Sequence, residues 1–111
     1  MYSVNIEEKK DVIIIHLTGE LYFSNIEEVD KAWDGLVSKK PKIIAIDCAG
    51  LNDIDSTAVG YFVKLLNSTM KKHIKLVFYD LTGQIKKLFQ MSKLDKFFHT
   101  TTKAKFEAEN F

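Results

Sequence analysis

Val4 and Ile6 alternate with polar neighbours, and the polar stretch Glu8-Lys9-Lys10-Asp11 separates them from Val12-Ile13-Ile14-Ile15-His16-Leu17. Alternation predicts a half-exposed strand, and the β-branched run predicts a better one. A link this short favours a hairpin, so the chain should open with an antiparallel pair. Gly19-Glu20-Leu21-Tyr22-Phe23 follows as an apolar-rich loop. Ser24-Asn25-Ile26-Glu27 has the spacing of a capping box, with serine accepting a helix N–H and glutamate reaching back.

The period then changes. Ile26, Val29, Trp33, Leu36 and Val37 share one helical face. Lys39-Lys40-Pro41 ends that helix, because the residue before proline avoids helical dihedrals and lysines suit the negative end of the helix dipole. Ile43-Ile44-Ala45-Ile46 is apolar on both faces, as in a central strand, and runs into the polar junction Asp47-Cys48-Ala49-Gly50. A second helix is expected over residues 56–72, with Val59, Phe62, Val63, Leu66 and Met70 inward. Lys75-Leu76-Val77-Phe78-Tyr79 reads as a fourth strand. Residues 80–83 open a third helix carrying Ile85, Leu88 and Phe89, Phe97-Phe98-His99 a short last strand, and residues 103–109 a weak terminal helix.

Strand, strand, helix, then alternating strand and helix predicts an α/β domain over residues 1–111. Its sheet should be small, mixed and mostly parallel, with an antiparallel hairpin at the N-terminus and helices covering it. Functional groups then belong at the carboxyl ends of the parallel strands, where Asp47 through Ser56 lie.

Composition narrows the options. The formal net charge is +1, so no strong global field points to nucleic acid or a membrane. All the basic residues are lysines, and without arginine the chain lacks the planar fork that clamps phosphate. The single cysteine, Cys48, excludes an internal disulfide and reads as a small apolar residue at a strand end. His16 reads as a side chain satisfied on one sheet face. No apolar run approaches the ~20 residues that span a bilayer, and no signal peptide is recognisable, which suggests a cytoplasmic protein.

The densest polar constellation is Asp53-Ile54-Asp55-Ser56-Thr57-Ala58-Val59-Gly60, between a buried strand and a helix. A nucleophilic Ser56 would need a base held within reach, and neither a Gly-x-Ser-x-Gly elbow nor a histidine loop accompanies it. An early acidic pair for a metal-dependent receiver is missing, as are the glycines of a phosphate-binding loop. Asp55 is the natural cap, leaving Ser56 in the first helical turn. A phosphate there would add about −1.5 to −2 charges beside Asp53 and Asp55, tolerated by the helix dipole but repellent to a docked partner.

Asp55-Ser56-Thr57-Ala58-Val59-Gly60 resembles the Asp-Ser-Ser/Thr-Gly-Leu-Gly signature of bacterial anti-sigma factor antagonists, the STAS domains. Ile44-Ala45-Ile46-Asp47, Leu51, Gly19-Glu20-Leu21 and the segment Ile85 to Phe98 are similar to other parts of that family, so the resemblance spans nearly the whole chain. It implies a protein with no catalysis or cofactor of its own. The unphosphorylated form would bind an anti-sigma factor, often a serine kinase holding ATP and Mg²⁺, and release the sigma factor. Phosphorylation at Ser56, with Thr57 as the backup acceptor, would end binding, and a serine phosphatase would reverse it. The partner face implied comprises Tyr22, Phe23, Ser24, Asp53, Asp55, Ser56, Thr57 and Val59. Ala58 stands where the signature has glycine, and Tyr22 where many members carry aspartate. Tyr22 and Phe23 could form an exposed aromatic pair or a buried loop anchor. Alternatives are a STAS scaffold or transport accessory subunit that is never phosphorylated, and a small serine-dependent enzyme.

Overall fold

The computed structural model describes residues 2–111. Five strands form one sheet in the order β1-β2-β3-β4-β5: β1 (Ser3–Lys9), β2 (Val12–Leu21), β3 (Ile43–Ile54), β4 (Lys75–Tyr79) and β5 (His99–Thr101). β1 and β2 are antiparallel, and every later pairing is parallel. The helices are α1 (Ile26–Ser38), α2 (Ser56–Lys71), α3 (Gly83–Met91) and α4 (Lys103–Asn110). The mixed α/β sheet with its N-terminal hairpin is the architecture expected from the sequence.

Period-two alternation along β2 sorts its side chains onto two faces. Ile13, Ile15 and Leu17 join the main core with residues of α1, α2 and α3, whereas Val12 and Ile14 join a smaller core closed by Phe106 of α4. Aromatic rings lock the main layer. Phe78 meets Phe62 at 5.1 Å and Phe98 at 4.9 Å, both edge-on, the arrangement favoured by ring quadrupoles. On the other face Tyr79 stacks on Phe106 at 5.4 Å.

Several local expectations shift. β3 does not stop at Ile46 but continues to Ile54, so Asp47, Cys48, Ala49 and Gly50 lie within the strand. Register shifts against β2 between His16 and Thr18 and between Gly19 and Glu20 carry the pairing onward. There Gly50 packs so closely that an added Cβ would lie 2.7 Å from Thr18 Cγ2. Cys48 is buried, with burial pushing its thiol pKa up, as suits a packing residue. The inward face of α2 is Ala58, Tyr61, Phe62, Leu65 and Thr69, one position from the expected stripe except at Phe62. Val63 and Met70 are exposed; Thr69 is accommodated inside because its hydroxyl donates to the carbonyls of Leu65 and Leu66. In α3, Ile85 and Phe89 are buried and Leu88 only partly. The last strand starts at His99, leaving Phe98 in the core and Phe97 exposed.

Candidate functional site at the β3–α2 junction

Because β3 is long, a single residue, Asp55, separates the sheet from α2. Asp55 is extended (φ −103°, ψ −179°), and its Oδ1 accepts from the Ala58 N–H at 2.9 Å. That is an N-cap, as expected. Its second oxygen, Oδ2, accepts at 2.9 Å from the backbone N–H of Phe23. One carboxylate therefore fixes both the helix that carries Ser56 and the loop between β2 and α1. The Phe23 N–H, aided by that of Ala58, holds the Asp55 pKa below its ordinary value, so the carboxylate stays charged.

A second tie runs parallel to the first. The Tyr22 hydroxyl donates to Asp53 Oδ2 at 2.6 Å, and Asp53 Oδ1 accepts from the Ile54 N–H at 2.9 Å. The bond to Asp53 pushes the Tyr22 phenol up to about 12. Tyr22 is thus a half-buried anchor, while Phe23 projects with 74% of its surface exposed. The aromatic pair divides between both expected roles.

The expected capping box at Ser24 does not form. Asn25 occupies the N-cap of α1 and makes no side-chain bond to the helix. Its amide turns back instead: Oδ1 accepts from the Tyr22 N–H and Nδ2 donates to the Glu20 carbonyl, each at 2.8 Å. Asn25 is the residue that shapes the loop presenting Tyr22 and Phe23. Its only sequence signal was the preference of asparagine for turns, which the stronger-looking serine obscured.

Ser56 and Thr57 are the first two residues of α2 and both are exposed; Ser24 is exposed beside Phe23. Val59 is partly buried against the main core. Ala58, in place of the signature glycine, is fully buried, so its methyl enters the core instead of altering the outward face. Of the histidines, His16 is taken up elsewhere. Its Nδ1 lies 2.7 Å from Asp47 Oδ2 and its Nε2 2.9 Å from Glu7 Oε1. Both ring nitrogens are occupied in a link across β1, β2 and β3, so this imidazole is satisfied on the sheet, as the sequence suggested.

A family profile described as "STAS domain" matches residues 3–108. The chain belongs to the STAS domain family. Among curated relatives of this STAS chain, the anti-sigma-B factor antagonist of Listeria monocytogenes is 28% identical over 93 residues, covering 83% of this chain and 82% of the relative. A Thermotoga maritima candidate anti-sigma factor antagonist has the same fold, with a TM-score of 0.86 and 19% identity, covering 96% of this chain and 92% of that one. The anti-sigma factor antagonist SpoIIAA in its unphosphorylated form superposes with a TM-score of 0.75 at 16% identity, covering 97% and 96% of the two chains. In this STAS domain the β3–α2 junction and the β2–α1 loop are joined into one outward surface by the Tyr22–Asp53 and Phe23–Asp55 bonds.

Proposed function

We propose that this STAS domain, acting as a single unit over residues 1–111, is an anti-sigma factor antagonist switched by phosphorylation of Ser56. The unphosphorylated surface binds an anti-sigma factor with serine kinase activity, which brings its own ATP and Mg²⁺. Phosphate on Ser56 ends the complex, and a serine phosphatase restores it. The observation that carries the reading is the exposed hydroxyl of Ser56 placed directly after the Asp55 cap, at the positive end of α2. Around it stand Phe23 as an exposed anchor for a partner and Tyr22, Ser24, Asp53, Asp55 and Thr57 as its polar setting. Val59 supports the surface from beneath. A dianion added among Asp53 and Asp55 opposes any docked face that is not strongly basic. The chain itself performs no catalysis in this cycle and works in the cytoplasm.

Incubation with a cognate kinase and ATP tests the assignment. Mass spectrometry should find one added phosphate on the intact chain, absent from Ser56→Ala and retained in Thr57→Ala. Phosphate found only at other positions would overturn it.

A further inference from the structure

The net charge of +1 conceals a strong segregation of charge. At the carboxyl end of the strands lie Glu20, Asp53, Asp55 and Asp80, with Lys103 as the basic residue beside Asp80. The opposite edge is built from three neighbouring turns. The Lys42 N–H donates to the Asp11 carbonyl at 2.8 Å, joining the β1–β2 hairpin to the start of β3. The Lys75 N–H donates to the Lys42 carbonyl at 3.0 Å, joining β3 to β4. The first turn carries Lys9 and Lys10, the second Lys39, Lys40 and Lys42, and the third Lys71, Lys72, His73 and Lys75. Among the described residues Glu8 and Asp11 pair there with Lys39 at 2.8 Å and Lys42 at 3.7 Å, and the Lys9 ammonium lies 4.7 Å from the centre of the Phe111 ring.

Each turn also holds one basic residue in the left-handed region: Lys10 (φ 57°), Lys40 (φ 52°) and His73 (φ 60°). Glycine or asparagine would adopt that backbone at less cost, yet all three positions keep a basic side chain. A groove of about 440 Å³ between the second and third turns is rimmed by Lys40, Lys42, Lys72 and His73. Both α1 and α2 end at this edge, so their negative dipole ends form its floor. A discrete anion seated deep would meet those carbonyl ends. The outward ammonium groups suit an extended anionic plane instead.

We propose that this lysine edge docks the chain peripherally on an anionic phospholipid surface. Lysine clusters of this size are attracted to anionic headgroups without a specific grip on any one of them. Met70, in the last turn of α2 beside Lys71, is 64% exposed and supplies an apolar contact for the interface. The three turns contain neither the arginine forks nor the aromatic platforms that nucleic acid recognition uses. No helix among the described residues is long and apolar enough to cross a membrane, so the contact is a surface one. Docking by this edge leaves the Ser56 end facing away from the lipid.

Co-sedimentation of the full chain at low salt should show binding to phosphatidylcholine vesicles containing phosphatidylglycerol and none to phosphatidylcholine alone. The combined variant Lys40→Gln, Lys72→Gln, Lys75→Gln should lose about fivefold per lysine, about a hundredfold in all. A variant with the same charge change on α3 and α4 (Lys86→Gln, Lys87→Gln, Lys105→Gln) should lose much less. Circular dichroism of both variants checks that the fold is kept. Absence of binding to the anionic vesicles, or equal losses in the two variants, would overturn the proposal. So would retention by a random DNA duplex without retention by vesicles.

Discussion

The phenol of Tyr22 donates a 2.6 Å hydrogen bond to Asp53, bridging the β2–α1 loop to the end of β3. Tyr22→Phe removes that bridge and leaves the ring. The proposed partner surface then loses part of its preorganisation, so affinity for an anti-sigma partner should fall, by about tenfold or less, with secondary structure unchanged. The same variant reports on the bond itself. In a spectrophotometric titration, the absorbance it removes from the wild-type curve should belong to a phenol ionising near 12, not at the ordinary 10.0. A missing phenol that titrates at its ordinary value would show the bond is not held in solution.

Asp55 ties the same loop to α2 through two backbone N–H groups. Asp55→Ala should destabilise the fold by about 1 kcal/mol in urea unfolding, the usual worth of a cap. The folded carboxylate pKa lies below its unfolded value, so its contribution is present above the unfolded pKa and is lost as pH falls through the folded one. The stability gap between wild type and Asp55→Ala should therefore narrow in acid.

His16 carries the opposite sign. Burial lowers its pKa, but bonds to Glu7 and Asp47 raise it by more, and the net shift is upward. Its stabilisation is full below the unfolded value of about 6.5 and fades as pH rises through the higher folded value. Imidazole resonances should titrate above 6.5, and the stability difference from His16→Gln should shrink toward alkaline pH.

Gly50 tests the bulged end of the β2–β3 pair. Gly50→Ala sets a methyl 2.7 Å from Thr18 Cγ2 and should cost about 1–3 kcal/mol. Thr18→Ser removes that methyl while keeping the hydroxyl that bonds Ser3, so the double variant should recover most of the loss. Thermal unfolding of the three variants measures the recovery.

Much of this architecture is legible in the residues, because the run of β2 and the one at Ile43 are rich in β-branched residues and too short for a buried helix. The length of β3 is not, for a physical reason. Beyond Asp47 its buried residues are Cys48, Leu51 and Ile54, three apart, because register shifts break the two-residue alternation. The inward face of α2 was displaced because Val63 and Met70 are apolar but exposed, while polar Thr69 is buried on bonds to its own helix. At the site, the cap at Asp55 could be read directly from its spacing to the helix. The bonds from Tyr22 to Asp53 and from Phe23 to Asp55 join residues over thirty positions apart, beyond the reach of any local pattern.

The central claim is that phosphate on Ser56 switches partner binding. Its most direct test is calorimetric titration of one anti-sigma partner with the unmodified chain and with the chain quantitatively phosphorylated at Ser56. The account predicts at least about tenfold weaker binding for the phosphorylated chain, with the circular dichroism of the two forms superimposable. Equal affinities of the two forms for that partner would contradict it.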